Sequence, residues 1–144
     1  QIALSLSDPA MVQYAKAGLD ALIADGVDIL VCNEQEELMY TQKDNLTDAT
    51  EQLLTLSQTA VITLGSKGAL ICQKGQEQLL VEGYAVKAVD TNGAGDAFAG
   101  AFLYALTQKQ SLQDAAKLGN LVASKVVSQY GPRLSYEQYQ ELVK

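Results

Sequence analysis

The chain has 144 residues, of which 48% are hydrophobic and 19% are charged, with a formal net charge of −7 at pH 7 and no histidine. A chain of this length can bury the core of one domain, and no apolar run comes near the roughly 18 residues that a membrane span requires. The acidic balance disfavours nucleic acid as a partner and favours a small molecule, while the lack of histidine excludes Ser-His-Asp triads and nearly all zinc sites.

Apolar runs alternate with amphipathic stretches along the chain, which predicts an α/β protein. Strands are predicted at residues 2–5, 27–32 and 60–64, and a β-hairpin at 69–73 and 78–82 around the turn 74–77. Helices are predicted at residues 8–25, 34–40, 47–57, 97–106, 112–128 and 135–143, with residues 86–89 leading into a glycine-rich loop. The continuously apolar strands indicate a mostly parallel sheet with helices on both faces.

Both cysteines, Cys32 and Cys72, fall in apolar, strand-like runs. This position favours free, buried thiols of a cytoplasmic protein over a disulfide or a reactive thiol. The first nine residues carry no basic segment, so no signal peptide is expected.

A polar segment, Asn33-Glu34-Gln35-Glu36, directly follows the second predicted strand. The carboxyl ends of parallel strands are where such folds bind ligands, so this segment is a candidate binding element. The alternative is an N-capped helix with acidic residues in its first turn, which is common because these residues suit the helix dipole. Glu37 is interpreted as solvated surface.

Two further segments are candidates for ligand contact. Residues 63–68, TLGSKG, come at the end of an apolar strand and are either a ligand loop or a plain turn between strands, with Lys67 interpreted as an exposed lysine. The predicted helix 112–128 carries small residues at Gly119, Ala123 and Ser124, which suit either close packing or a flat aromatic ligand.

The run DTNGAGDAF, residues 90–98, is the most informative segment. Gly93, Ala94 and Gly95 let backbone N–H groups approach a ligand closely, and the following helix adds its unpaired N–H groups and positive dipole end. Asp96 places a carboxylate beside that anion site, where it could accept a proton from an attacking hydroxyl. The run fits neither a Walker-type nor a Rossmann loop. The alternative is a tight turn in which Asp96 only caps a helix.

From Asp90 to Asp96 the chain carries a complete DTxGAGD motif, and it resembles the ribokinase or PfkB family of carbohydrate and nucleoside kinases. Asn92 at the third position of the motif, and the sequence AFAGAFLYAL after it, resemble the adenosine kinase branch in particular. The resemblance runs along the whole chain, which corresponds to the C-terminal half of a family member. It implies a ribokinase-like three-layer αβα sandwich, with residues 1–144 as the nucleotide-binding part of the kinase domain.

The resemblance also implies site residues. In the catalytic centre, Asp96 is the base, and the anion hole is formed by the backbone of Gly93, Ala94 and Gly95. An NxxE motif that organises Mg²⁺ through water maps onto Asn33 and Glu36. A TxGxxG stretch that lines ATP maps onto Thr63, Gly65 and Gly68, and Asn120 would lie beside the adenine. A monovalent-cation site, built mostly of backbone carbonyls, maps onto Asp90, Asn92, Val126, Gln129, Gly131 and Ser135. Pro132 departs from the alanine that often follows the last glycine of this site.

The implied reaction is ATP-dependent phosphoryl transfer to a hydroxyl, with adenosine as the first choice of acceptor and ribose or a similar sugar as the second. The cofactors implied are ATP and Mg²⁺, and the cation site allows K⁺. The implied partners are the acceptor and the missing N-terminal half of the kinase, without which the isolated chain is expected to be inactive, and a homo-oligomer is allowed. Two other classes stay open, a non-catalytic nucleotide-binding module and a nicotinamide-dependent enzyme.

Overall fold

The structure is a computed structural model that describes residues 1–143. Within these residues one sheet has the strand order β1-β2-β3-β4-β5, formed by Ala3–Ser5, Val27–Asn33, Ser57–Thr63, Gly68–Gln73 and Leu79–Glu82. The helices are α1 to α7, at Pro9–Tyr14, Lys16–Ala24, Glu34–Thr41, Leu46–Leu56, Ala94–Thr107, Leu112–Val127 and Tyr136–Leu142. The sheet is mixed, and the α/β class and the neighbouring strands β4 and β5 of the hairpin are as predicted.

The first three strands are parallel to one another. Ser5 is paired with Val31, and Asn33 is paired with Thr63, so the carboxyl ends of β1, β2 and β3 lie at the same edge of the sheet. Each connection between these strands is helical, which is the arrangement that parallel strands require. Residues that follow β2 and β3 are therefore placed at the edge where α/β proteins bind their ligands.

The chain forms two compact units. The first unit comprises residues 1–64 and 70–79, and its core includes the fully buried Leu6, Leu30 and Leu53. The second unit comprises residues 65–69 and the described residues from 80 onward, and α5 and α6 supply most of its core, with Val122 and Val126 fully buried. Each unit therefore buries apolar surface of its own.

The cysteines are free and buried, as expected. Burial raises the pKa of Cys32 well above its usual value and that of Cys72 to about 11, so both thiols are protonated at neutral pH. No helix within residues 1–143 has the length and apolar character needed to cross a membrane.

Some predicted boundaries are wrong. The segment 8–25 is not one helix, because the backbone leaves the helical region at Ala15 (φ −119°, ψ 19°) and divides it into α1 and α2. Strand β3 begins at Ser57 and not at residue 60, since the polar residues Ser57 and Thr59 pair with β2. Helix α5 begins at Ala94 and not at residue 97, because Gly93 adopts a left-handed conformation (φ 74°) that allows the chain to enter the helix there.

Candidate functional site

The start of α5 is an open set of backbone donors. Ala94 N donates to Thr91 O at 3.3 Å and Ala97 N to Gly93 O at 2.9 Å. The N–H groups of Gly93, Gly95 and Asp96 form no hydrogen bond with any residue from 1 to 143. Because α5 has 14 residues and Gly95 and Asp96 are exposed, its positive end is accessible to an anion. We call residues 90–96 the anion loop.

Asp96 lies in the first turn of α5, and its side chain is exposed. The helix cap is Gly93, which has no side chain to supply a capping bond. Within the described residues the Asp96 carboxylate forms no hydrogen bond, so it does not act as the capping group. A carboxylate in this position is able to accept a proton from a hydroxyl that approaches the anion loop.

The turn at residues 128–133 holds the anion loop in place. Asp90 Oδ1 accepts a hydrogen bond from Asn92 N (3.0 Å), and Asp90 Oδ2 accepts one from Gly131 N (3.1 Å). These bonds from Asn92 and Gly131 hold the pKa of the Asp90 carboxyl below its usual value. Pro132 packs so tightly against Gly93 that a β-carbon there would lie 2.3 Å from the Pro132 carbonyl oxygen. The carboxylate and the proline together fix how the chain enters α5.

The structure brings most of the expected cation-site residues to this same turn. Asp90, Asn92 and Gly131 are hydrogen-bonded as described, and Gln129 N donates to Val126 O at 3.3 Å. The side chain of Gln129 also links Arg133 O (3.1 Å) with Gln138 of α7 (3.0 Å). Ser135 caps α7, where its hydroxyl oxygen accepts from Gln138 N. Carbonyl and carboxylate oxygens, which are the ligands that hard cations prefer, are therefore abundant near this turn.

Two of the expected nucleotide-binding residues of the second unit, Gly68 and Asn120, meet at the end of β5. A β-carbon on Gly68 (φ +110°) would lie 2.1 Å from Val81 O, so only glycine fits there. Asn120 is buried, and its Nδ2 donates to Val81 O (2.9 Å) and Glu82 O (3.1 Å). The amide of Asn120 thus fixes the backbone of β5. Gly65 (φ +59°) has open space around its α-carbon, and Lys67 is exposed as predicted.

The first unit carries Asn33, Glu36 and Thr63 at the carboxyl ends of β2 and β3. Asn33 Oδ1 accepts from Glu36 N (2.8 Å), while Asn33 N and Nδ2 donate to the Glu36 carboxylate at 3.1 and 2.7 Å. This capping box confirms the predicted N-cap. Thr63 Oγ1 donates to Cys32 O at 3.4 Å. Glu36 is 5% exposed, and the side-chain oxygens of Asn33 and Glu36 all accept hydrogen bonds within this capping box. These are hard oxygen atoms, which suit Mg²⁺ better than a softer metal.

No group of three or more histidine, cysteine, aspartate or glutamate side chains within residues 1–143 is arranged to hold a metal ion. A divalent ion at this edge would therefore rely on one or two protein oxygens together with water and ligand phosphates. Mg²⁺ at phosphoryl-transfer sites is commonly held by one or two carboxylates together with water and phosphates.

The interpretation of Glu37 as solvated surface is wrong. Its side chain is 1% exposed, and its Oε1 accepts a hydrogen bond of 2.6 Å from Thr50 Oγ1 on α4. Burial raises the pKa of the Glu37 carboxyl above its usual value. The sequence alone gave no signal for this contact, because the two partners are 13 residues apart and each belongs to a polar stretch.

The model of the pfkB family of carbohydrate kinases matches residues 2–138. The chain is 36% identical over 128 residues to an uncharacterized sugar kinase of Archaeoglobus fulgidus, covering 88% of this chain and 50% of that protein. It is 37% identical over 123 residues to a ribokinase of Staphylococcus aureus, covering 81% of this chain and 40% of that protein.

Among solved structures, the adenosine kinase of Sinorhizobium meliloti superimposes with a TM-score of 0.88 at 34% identity, covering 99% of this chain and 44% of that one. The fold is therefore that of the ribokinase-like kinases. The chain spans about half the length of the curated relatives that it matches.

Proposed function

The chain belongs to the pfkB family of carbohydrate kinases, and from this premise we propose that it supplies the nucleotide-binding and catalytic part of an ATP-dependent kinase. The reaction is transfer of the terminal phosphoryl group of ATP to a hydroxyl of a nucleoside or sugar. The observation that carries the proposal is the open start of α5, where unpaired N–H groups lie beside the exposed Asp96 carboxylate.

In this reaction Asp96 accepts the proton of the acceptor hydroxyl as its oxygen attacks the terminal phosphorus. The bond between that phosphorus and the bridging oxygen breaks, and ADP leaves. The unpaired N–H groups of Gly93, Gly95 and Asp96 donate to the oxygens of the transferring group and stabilise the charge that develops on them. Ala94, the other residue expected in the anion hole, does not donate from its N–H, which is bonded to Thr91 O (3.3 Å). A positioned base typically contributes 10²- to 10⁴-fold and one oxyanion donor about 10²- to 10³-fold.

The nucleotide and its ions are assigned to the remaining site residues. Thr63, Gly65 and Gly68 line ATP. Asn120, whose side-chain amide is hydrogen-bonded to the backbone of β5, lies beside the adenine. Asn33 and Glu36 hold Mg²⁺ through water, and this ion, when bound, neutralises the phosphate charge. The turn with Asp90, Asn92, Val126, Gln129, Gly131 and Ser135 takes a monovalent cation such as K⁺.

Adenosine is the proposed acceptor, and ribose or a similar sugar is the alternative. Asn92 and the similarity to the Sinorhizobium meliloti adenosine kinase support adenosine, while the similarity to a ribokinase supports a sugar. Adenosine and ribose differ enough in size and hydrogen bonding for direct competition between the two acceptors to separate them.

We further propose that residues 1–144 form the C-terminal part of the kinase domain and act with an N-terminal half that completes the acceptor site. The coverage of about half of each relative supports this division. We assign the kinase to the cytoplasm, since its free, buried thiols suit a reducing compartment. Self-association of the chain is allowed, because β1 lies at an edge of the sheet.

The test is an ADP-release assay on the full-length protein with adenosine, with ribose and without acceptor, in the presence of Mg²⁺. The proposal predicts acceptor-dependent release of ADP. Binding of ATP without turnover on any nucleoside or sugar would instead indicate a non-catalytic nucleotide-binding module.

A further inference from the structure

Glu37 is a buried carboxylate to which neither the sequence nor the proposed mechanism gives a role. It is among the largest fully buried side chains of the chain, and Thr50 Oγ1 donates to its Oε1 at 2.6 Å. Its backbone carbonyl accepts a second bond, of 2.8 Å, from Thr41 Oγ1. A carboxylate in a core is costly to desolvate, and an apolar side chain of similar volume is often as stable or more so. Packing alone does not explain why a carboxylate stands here.

The position of Glu37 in α3 suggests what the carboxylate does. It directly follows Glu36, whose side chain closes the capping box with Asn33. Both glutamates lie in the first turn of α3, so the direction of the Glu36 side chain depends on the rotation of that turn about the helix axis. The bond from Glu37 to Thr50 ties the same turn to α4 through one directional contact. An apolar contact would be non-directional and would allow the turn to rotate.

We propose that Glu37 is a positioning residue, which through its hydrogen bond with Thr50 sets the orientation of the Asn33–Glu36 pair for Mg²⁺. The inference rests on the proposed function, in which Asn33 and Glu36 organise that ion. Glu37 itself contacts neither ion nor substrate. When a residue that is hydrogen-bonded to a metal ligand and orients it is replaced, the affinity for the metal typically falls 10- to 100-fold.

The first arm of the test is the Mg²⁺ dependence of kinase activity in the full-length protein. Glu37→Leu should raise the Mg²⁺ concentration for half-maximal activity about tenfold, while kcat at saturating Mg²⁺ stays close to wild type. Glu37→Gln keeps an oxygen acceptor for Thr50 and should restore the wild-type dependence. The matched control is Glu51→Leu, the same change at an exposed position next to Thr50, which should have no effect.

The second arm needs neither metal nor substrate. Amide hydrogen exchange of Asn33 and Glu36, measured in Mg²⁺-free protein, reports directly on the capping box. Glu37→Leu should accelerate exchange at these two amides more than at the rest of α3, and Glu37→Gln should not. Thr50→Val should reproduce the effect of Glu37→Leu, and the double variant should add nothing further. If Thr50→Val does not fold, the Leu and Gln variants of Glu37 decide the question.

The outcomes are separable. Wild-type Mg²⁺ dependence and wild-type exchange in a folded Glu37→Leu variant would overturn the positioning role and leave the kinase proposal intact. Equal shifts in Leu53→Ala, a destabilised core variant of α4, would also overturn it, since a general loss of stability would then explain the effect. A wild-type protein without kinase activity would contradict the proposed function. It would also contradict the role of Glu37 in Mg²⁺ binding, whatever the exchange data show.

Discussion

A β-carbon on Gly93 would lie 2.3 Å from the carbonyl oxygen of Pro132, a separation that real β-carbons do not adopt. The contact shows that the turn after α6 packs directly against the N-cap residue of α5. Gly93 also has φ +74°, where a side chain is strained whatever space it has. The position of Asp96 therefore depends on a glycine and a proline that lie far apart in the sequence.

Gly93→Ala should destabilise the protein by about 1–3 kcal/mol, because it adds backbone strain and a clash with Pro132. Urea unfolding of the variant and of wild type measures the difference. Gly95→Ala is the matched control, since nothing lies within 4 Å of a β-carbon at that position. Equal stability of the Gly93 variant and wild type would mean that the turn does not pack against the anion loop.

Gly95→Val should leave the fold intact and damage catalysis. The open space at Gly95 accommodates the side chain, but the valine would block the approach of phosphate to the neighbouring N–H groups. We expect turnover to fall by about 10²-fold or more, as for a lost oxyanion donor, with little change in Tm. Phosphate or sulfate soaked into crystals should bind at the start of α5 in wild type and not in the variant. Normal turnover in the variant would argue against the anion hole.

The pair formed by Asp20 and Tyr40 predicts a pH dependence of stability. Lys16 Nζ and Tyr40 Oη donate to the Asp20 carboxylate at 2.9 and 2.7 Å, and they hold its pKa below the usual value. A carboxyl whose pKa is depressed in the folded state stabilises the protein above its unfolded pKa, near 3.8, and that stabilisation is lost as the pH falls through the folded pKa.

Asp20→Asn should therefore lower the urea midpoint at pH 7 and approach wild type as the pH is lowered below 4. The size of the effect is reduced by solvent, because the carboxylate is largely exposed. Asp25→Asn, on the same stretch of chain, serves as a comparison. A difference between Asp20→Asn and wild type that does not change with pH would contradict the role of the charge.

The isolated chain should lack kinase activity towards adenosine and ribose. Under the proposed division of the domain, part of the acceptor site belongs to the N-terminal half of the protein. Strand β1 lies at the edge of the sheet, and its unpaired backbone groups favour self-association. Size-exclusion chromatography together with ADP release tests both statements, and a monomer with normal turnover would contradict them.

Much of the fold was predictable from local pattern. The structure of β2 follows from its apolar run, because a strand that is buried on both faces needs apolar residues throughout. The structure of the anion loop follows from its glycines, because close backbone approach needs residues without side chains. The exact first residue of α5 was not predictable. Glycine is a poor helix former, so Gly95 gives no sign in the sequence that the helix already begins at Ala94.

Side-chain roles that depend on distant partners were the hardest to predict. Glu37 is an ionisable residue that follows a polar segment, which is typical of an exposed side chain. Its burial depends on the hydrogen bond with Thr50 on another helix, and the local sequence does not reveal that bond. Asn120 faces the backbone of β5, 38 residues away, and no local pattern encodes that contact. In both cases the environment of the side chain is determined by tertiary packing and not by the local sequence.

The most direct test of the account is replacement of Asp96 by Asn in the full-length protein. The variant removes the proton acceptor and leaves the N–H groups of the anion loop in place, so ATP should bind with nearly wild-type affinity. Turnover should fall by roughly 10²- to 10⁴-fold, the range for a lost general base. Titration calorimetry with ATP and a steady-state ADP-release assay measure the two quantities. Wild-type turnover in Asp96→Asn would contradict the assignment of Asp96 as the base, and the catalytic role proposed for the start of α5 would fail with it.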